Sequence, residues 1–264
     1  MTLSNFNVAR TWLYAVLLIF MAMPTLAQGM KAEQFFEPSH VILLNAIKAG
    51  DKQTAQAIID TGVALDVHGE HGITPLFWLA METNKKSLRL ALDLGADPDF
   101  PAYVTLDRNG PTEEQLLSAL AGSDKTEMMQ VLLEYNASPN AVDASLEPAL
   151  FNAVANDKDE QVNLLLAHGV DLNATDAMNN NAANYSALML KYKYALLFIT
   201  KGGDFSAPST TGGTVANSIE RDLRKKLLRP GTSNYDYAMK VKELLIEKGV
   251  SFPPPSPKEV RAAN

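Results

Sequence analysis

The stretch GITPLFWLAMETNKKSLRLALDLGADPD, residues 72–99, decides the fold of this chain. Thr74 is placed to cap a helix whose first residue is Pro75, where the missing N–H costs no helical hydrogen bond. Gly95 follows a second, leucine-rich run and can adopt the left-handed conformation that ends a helix. The stretch therefore predicts two short antiparallel helices followed by a turn.

The apolar skeleton of this stretch recurs along the chain. An apolar triplet stands five, four and three residues before each of six marker residues: Gly62, Gly95, Asn136, Gly169, Gly202 and Gly249. Successive markers are 33, 41, 33, 33 and 47 residues apart. Because one helix pair cannot bury its own apolar faces, the spacing predicts an all-α solenoid of about six pairs with short hairpin loops. Function in such a fold belongs to a surface.

This pattern resembles the ankyrin repeat, which reads roughly G-x-T-P-L-H-x-A-A, then a leucine-rich second helix and G-A-D. Phe77 stands where the family has histidine, and the other units keep the skeleton without T-P-L. The resemblance covers about residues 39–252. We assign residues 28–252 to the repeat domain and residues 253–264, which begin PPPSP, to an extended proline-rich tail.

Residues 1–27 are typical of a secretory signal peptide. Arg10 is the one charged residue among them, and an apolar run of twelve residues ends before Pro24 and a cleavage site near Ala27. A membrane span needs roughly twenty apolar residues, so an uncleaved anchor is the weaker alternative. The chain has no cysteine, and we expect a periplasmic protein. Internal starts at Met21, Met23 or Met30 would instead give a cytosolic form, although methionines are ordinary in a signal core.

Charge and motifs argue against several classes of function. Without residues 1–27 the chain has 22 Lys and Arg against 30 Asp and Glu, a net charge of −8, which disfavours nucleic acid as a partner. The sequence contains no G-x-S-x-G, P-loop or H-E-x-x-H motif, so we expect neither an enzyme nor a cofactor. His68 and His71 lie close together but without helical ligand spacing, and we expect no metal there.

Two insertions interrupt the repeat register. The first adds eight residues within residues 98–111 and should enlarge one hairpin finger. The second adds fourteen within about residues 219–235 and should lengthen the inner helix or the turn of the last repeat. Insertions in solenoids often lie on the binding face, although tolerated surface growth is the alternative.

The ankyrin resemblance implies that a partner protein binds a concave groove formed by hairpin tips and inner helices. Mapping that groove and the first insertion gives these candidate partner-binding residues: Trp78, Met81, Glu82, Phe100, Tyr103, Arg108, Asn152 and Tyr185. We expect Trp78 and Tyr185 to be exposed anchors, since a core could not easily take such rings at this register. The alternative for Trp78 is packing against the enlarged finger.

One concentrated basic stretch follows the fifth marker. Its members are Arg221, Arg224, Lys225, Lys226 and Arg229. Leucines interleave with them, which predicts an amphipathic helix over residues 221–229 with a solvated basic side. Contact with membrane headgroups is the alternative.

The resemblance implies a non-catalytic binder of another protein, monomeric when free. For an exported ankyrin-like chain we expect immunity, in which the protein neutralises a toxic effector such as a phospholipase delivered by a type VI secretion system. A periplasmic stress-response or scaffold protein that supports another enzyme is the alternative. A peripheral membrane protein is the second alternative.

Overall fold

The computed structural model describes residues 31–82, 84–107 and 110–263. The predicted signal peptide and Arg108 lie outside these residues. The chain divides into two compact units, with the boundary between Ser145 and Leu146.

The described part of the first unit contains three helix pairs and one hairpin. The helices are α1 (Pro38–Ala49), α2 (Lys52–Ile59), α3 (Pro75–Met81), α4 (Lys85–Asp93), α5 (Leu116–Ala121) and α6 (Thr126–Glu134). Strands β1 (Ala102–Asp107) and β2 (Gly110–Glu114) pair antiparallel between α4 and α5. Single 3₁₀ turns cover Ala32–Gln34 and Glu70–Gly72.

The described part of the second unit also contains three helix pairs, followed by one further helix. The helices are α7 (Ala149–Ala155), α8 (Asp159–Ala167), α9 (Ala182–Leu188), α10 (Tyr192–Thr200), α11 (Val215–Arg224), α12 (Ser233–Glu247) and α13 (Pro257–Ala263). Helix α13 lies within the predicted proline-rich tail, so that segment is extended only up to Ser256.

Helix ends follow the signals that the sequence carries. The Thr74 hydroxyl accepts a hydrogen bond of 3.3 Å from the Phe77 N–H, and Pro75 is the first residue of α3. Asn136 and all five marker glycines have positive φ, with 64° at Asn136. Asparagine is among the few residues that tolerate this conformation. The two-helix unit predicted from residues 72–99 and its sixfold recurrence are confirmed.

Small side chains let neighbouring pairs approach closely inside each unit. The alanines predicted to lie at the inner-helix contacts are all buried: Ala46, Ala80, Ala121, Ala153 and Ala187. In the first unit α1 packs on α4 and α4 on α6, and in the second unit α9 contacts both α7 and α11. Every residue of α3 is buried. Burial of each large apolar side chain in such a stack contributes about 1.5–3 kcal/mol.

Both insertions add regular structure. The first forms the β1–β2 hairpin, in which Ala102 pairs with Glu114 and Val104 with Thr112. This hairpin is the enlarged finger that the register predicts. The second insertion lengthens both helices of the last repeat and the turn between them. Helix α11 has ten residues and α12 has fifteen.

Candidate functional site

Trp78 and Tyr185 lie inside their repeats. Their side chains are 2% and 3% exposed, so the expectation that they stand on the surface is wrong. Each ring is covered by the preceding repeat: the Phe151 ring stacks on Tyr185 with centroids 4.2 Å apart, and Lys48 Nζ lies 4.8 Å from the centre of the Trp78 ring. The register assigns both rings to the inner helices but does not reveal that the preceding repeat covers them.

Three further predicted contact residues offer little surface. Met81 and Asn152 are buried, and Glu82 is half-buried and forms a 2.7 Å ion pair with Lys48. That pair joins the first helix pair to the second. A contact role for these three residues stays a prediction.

The base of the hairpin finger carries an aromatic cluster made of His68, Phe100 and Tyr103. The His68 ring centroid lies 4.2 Å from that of Tyr103 and 4.8 Å from that of Phe100, and His68 Nε2 is 2.9 Å from the Pro101 carbonyl oxygen. Tyr103 keeps 38% of its surface exposed, whereas Phe100 is half-buried. His68 therefore fastens the finger to the loop before α3. Among the residues that the structure describes, no group of three His, Cys, Asp or Glu side chains is placed to hold a metal.

A buried carboxyl group lies on the second strand at the same base of the finger. Glu114, the last residue of β2, is 4% exposed, and one of its oxygens accepts a 2.8 Å hydrogen bond from the Ala144 N–H. Burial, with a smaller contribution from the nearby Asp143, raises the pKa of Glu114 to about 8, although the hydrogen bond from the Ala144 N–H opposes the shift. At neutral pH this carboxyl group is therefore mostly protonated.

The basic stretch is not one helix, so the prediction of an amphipathic helix over residues 221–229 is wrong. Helix α11 ends at Arg224, because Lys226 takes positive φ and the Leu227 N–H then bonds to the Asp222 carbonyl at 2.9 Å. Leu228 is buried by this turn. Arg221 Nε donates to the buried Asp222 carboxylate at 2.6 Å, and this contact raises the pKa of the guanidinium. The four remaining cations are exposed: Arg224, Lys225, Lys226 and Arg229.

The second unit contains a cleft of about 560 Å³. Its walls come from the inner helices α9 and α11, from the hairpin tips before them and from the segment Pro253–Pro257. Met178 and Leu188 line it and are 46% and 45% exposed, among mostly buried inner-helix neighbours. Arg221 and Arg224 line it as well.

The C-terminal segment is held against the last hairpin by specific contacts. The Asn217 amide donates a 2.8 Å hydrogen bond to the Pro255 carbonyl, and the Arg261 guanidinium donates to the Thr211 carbonyl. Gly212 has φ of 78°, and a Cβ there would lie 2.1 Å from the Pro257 carbonyl oxygen. Neither Met178 nor the proline segment is among the site residues that the sequence predicts. An apolar residue in a hairpin tip, such as Met178, is a sequence signal for a contact surface. No sequence pattern predicts that the C-terminal segment docks beside it.

None of the helices in the described ranges combines the length and the apolar character that a membrane crossing requires.

Comparisons with known proteins agree with this architecture. No protein-family profile matches the chain. Curated relatives named "Ankyrin repeat, SAM and basic leucine zipper domain-containing protein 1" match part of it. The relative from Neofelis nebulosa is 29% identical over 119 residues, which cover 43% of this chain and 23% of that protein. The relative from Homo sapiens is 30% identical over 100 residues, covering 36% of this chain and 19% of that protein.

Two solved structures resemble the chain in fold. The ankyrin repeat domain of Bcl-3 gives a TM-score of 0.52 at 22% identity and covers 67% of this chain and 78% of that domain. EF0377, an ankyrin repeat protein, gives 0.54 at 19% identity and covers 70% of this chain and 92% of that one. The fold is therefore an all-α ankyrin-repeat solenoid, as the sequence predicts.

Proposed function

We propose that this ankyrin-repeat protein is a non-catalytic module that binds another protein. The observation that carries the proposal is the cleft of the second unit, where Met178 and Leu188 expose nearly half of their surface. Stacked repeats present side chains of successive repeats on one continuous surface, which suits recognition of a macromolecule. Exposed apolar side chains beside fixed polar groups are typical of such contact surfaces.

The partner that we propose is a toxic effector, for example a phospholipase delivered by a type VI secretion system, which this protein neutralises as a stoichiometric inhibitor. The predicted signal peptide over residues 1–27 and the lack of cysteine fit an exported chain that meets the toxin in the periplasm. A rigid repeat surface needs little ordering on binding, and preorganisation of this kind favours tight complexes. The step from fold to this partner is an analogy between proteins of one architecture.

Immunoprecipitation of the untagged full chain from periplasmic extract of its own organism, followed by mass spectrometry, tests the proposal. We expect a hydrolase in near-equal amount, and purified protein should abolish that hydrolase's activity at a ratio of one to one. Leu188→Glu should weaken both effects. Ile246→Glu, at an apolar site on α12 that is 51% exposed, is the matched control.

Other outcomes would redirect or end the proposal. Recovery of a redox enzyme whose activity rises with the protein would favour the scaffold role. An empty precipitate, or a cytosolic location of the chain after cell fractionation, would contradict the immunity role in the periplasm.

A further inference from the structure

We propose that the cleft of the second unit binds an extended acidic segment of the partner protein, with an apolar side chain of that segment at Leu188 and its carboxylates at Arg224. This inference rests on the proposed function as a protein binder and specifies what that partner presents.

The size and the walls of the cleft suit a chain segment. Its volume of about 560 Å³ lies within the range of about 300–1,000 Å³ that ligand pockets occupy. Helices α9 and α11 form its walls with the hairpin tips before them, and residues 253–257 form a further wall. A trough between regular elements admits a peptide in extended form.

Apolar surface in the cleft is provided by Met178, Leu188 and three prolines, Pro253, Pro254 and Pro257. These side chains present exposed carbon to solvent, since Leu188 and Met178 are each nearly half exposed. The Asn184 amide nearby already donates to the Gly213 carbonyl at 3.0 Å, which fixes it as part of the wall. An apolar side chain from a partner would therefore gain buried area here without displacing a protein contact.

Arg224 provides the charge of the cleft. Arg221 is committed to the buried Asp222, whereas the exposed Arg224 forms no ion pair with any residue that the structure describes. Lys225, Lys226 and Arg229 follow it and are likewise exposed and without an ion pair in the described ranges. These four cations stand out in a chain of net charge −7, and the carboxylate among the lining residues is Glu220. Lys225, Lys226 and Arg229 are not lining residues but follow Arg224 directly, and residues 220–229 hold five cations against two carboxylates. The end of the cleft at Arg224 is therefore positive and complementary to an acidic segment.

The C-terminal wall of the cleft is fixed to α11 and to the hairpin tip before it. Three contacts hold it: Asn217 to the Pro255 carbonyl, Arg261 to the Thr211 carbonyl, and the close approach of Pro257 to Gly212. An added methyl group at Gly212 would clash with the Pro257 carbonyl oxygen and push this wall away. A ligand that uses the wall must then bind more weakly.

Selection of random dodecapeptides displayed on phage against the full-length protein tests the inference. We expect enriched sequences that combine two or more Asp or Glu with a large apolar residue. A synthetic peptide of the enriched sequence should lose affinity by about tenfold with Arg224→Glu, because a charge-assisted contact is lost. Lys201→Glu makes the same charge change at an exposed position outside the cleft lining and should leave affinity unchanged.

A glycine pair tests the wall. Gly212→Ala should weaken the same peptide and raise hydrogen exchange in residues 253–263. Gly231→Ala imposes the same conformational strain, with φ of 85°, but has no atom within 4 Å of the added methyl group, so it should change neither.

Enrichment of basic or uncharged peptides, an absence of enrichment, or equal affinity for Arg224→Glu and the native protein would overturn the assignment of the cleft. If the effector is nevertheless recovered and inhibited, the proposed function stands and the partner binds elsewhere. If both experiments fail, the proposed function fails as well.

Discussion

The Tyr192 hydroxyl donates a 2.7 Å hydrogen bond to the carboxylate of Asp222, which is fully buried. This contact joins α10 of one helix pair to α11 of the next, and Arg221 balances the charge from the other side at 2.6 Å. Burial, with Asp222 beside it, raises the pKa of the Tyr192 phenol well above its usual value, so the hydroxyl stays a donor. The last two repeats are thus linked by a polar contact within an apolar stack.

Tyr192→Phe should destabilise the second unit by about 1–3 kcal/mol, because the buried Asp222 carboxylate loses a hydrogen-bond donor that compensates its desolvation. Urea unfolding followed by circular dichroism measures the change. Tyr237→Phe, at a ring that is 36% exposed, serves as the control and should have little effect. Equal stability of the two variants would mean that Asp222 does not depend on Tyr192.

Stability of the first unit should fall as pH rises from about 4.5 to 8. Folding raises the pKa of Glu114 from its ordinary value to about 8, so the folded state holds this proton over a range where the unfolded chain has released it. The stabilisation is complete below the unfolded pKa and is lost as pH approaches the folded pKa. Glu114→Gln keeps the acceptor for the Ala144 N–H and cannot ionise. Its free energy of unfolding, compared with that of the native protein, should therefore rise by a few kcal/mol by pH 8.

Denaturant unfolding at several pH values checks the behaviour of Glu114. Glu113→Gln alters the exposed neighbour in the same strand and should leave the pH profile unchanged. A constant difference between Glu114→Gln and the native protein across the window would show that the carboxyl group is ionised in the fold.

Trp78→Ala should cost about 3–5 kcal/mol of folding free energy, because it empties a large buried site between two helix pairs. Ile42→Ala, at a position on α1 that is 57% exposed, should change stability by less than about 0.5 kcal/mol. Thermal unfolding distinguishes the two. A small effect at Trp78 would instead restore the expectation of an exposed binding anchor.

Gly72→Ala should detach the hairpin finger from the loop before α3. Gly72 has φ of 77°, and a Cβ there would lie 2.5 Å from the Tyr103 carbonyl oxygen. Gly62→Ala is the matched control, since it has φ of 99° and open space around it. The control should cost about 1–2 kcal/mol from conformation alone. Gly72→Ala should cost more and should raise hydrogen exchange in β1. Equal losses would mean that the Tyr103 contact yields easily.

The local sequence predicts a structural feature correctly where the interactions that form it lie within one helix pair. Thr74, Pro75 and Gly95 predicted the ends of α3 and α4, and the spacing of the apolar triplets predicted six pairs. The surroundings of a residue that come from another repeat cannot be predicted from its own helix pair. Trp78 was expected on the surface because its register says nothing of Lys48, which lies above the ring.

The candidate site also combines features that the local sequence predicts with features that depend on packing. Arg224 was identified from the clustering of basic residues, a property of the sequence. The helix predicted through Arg229 was wrong, because a turn at Lys226 buries Leu228 and returns two N–H groups to the Asp222 carbonyl. That turn depends on packing that the leucine spacing does not encode.

The sequence by itself determined the repeat unit, the number of units and the helix ends at Thr74 and at the six markers, since capping, left-handed residues and apolar periodicity act over a few residues. Only the tertiary structure decided which rings are buried, that Glu114 is enclosed at the finger base, and that residues 253–257 form a wall of the cleft. These features join residues tens of positions apart, as in the contact of Asn217 with Pro255. Their energies depend on desolvation and close packing, which exist only once the repeats have stacked.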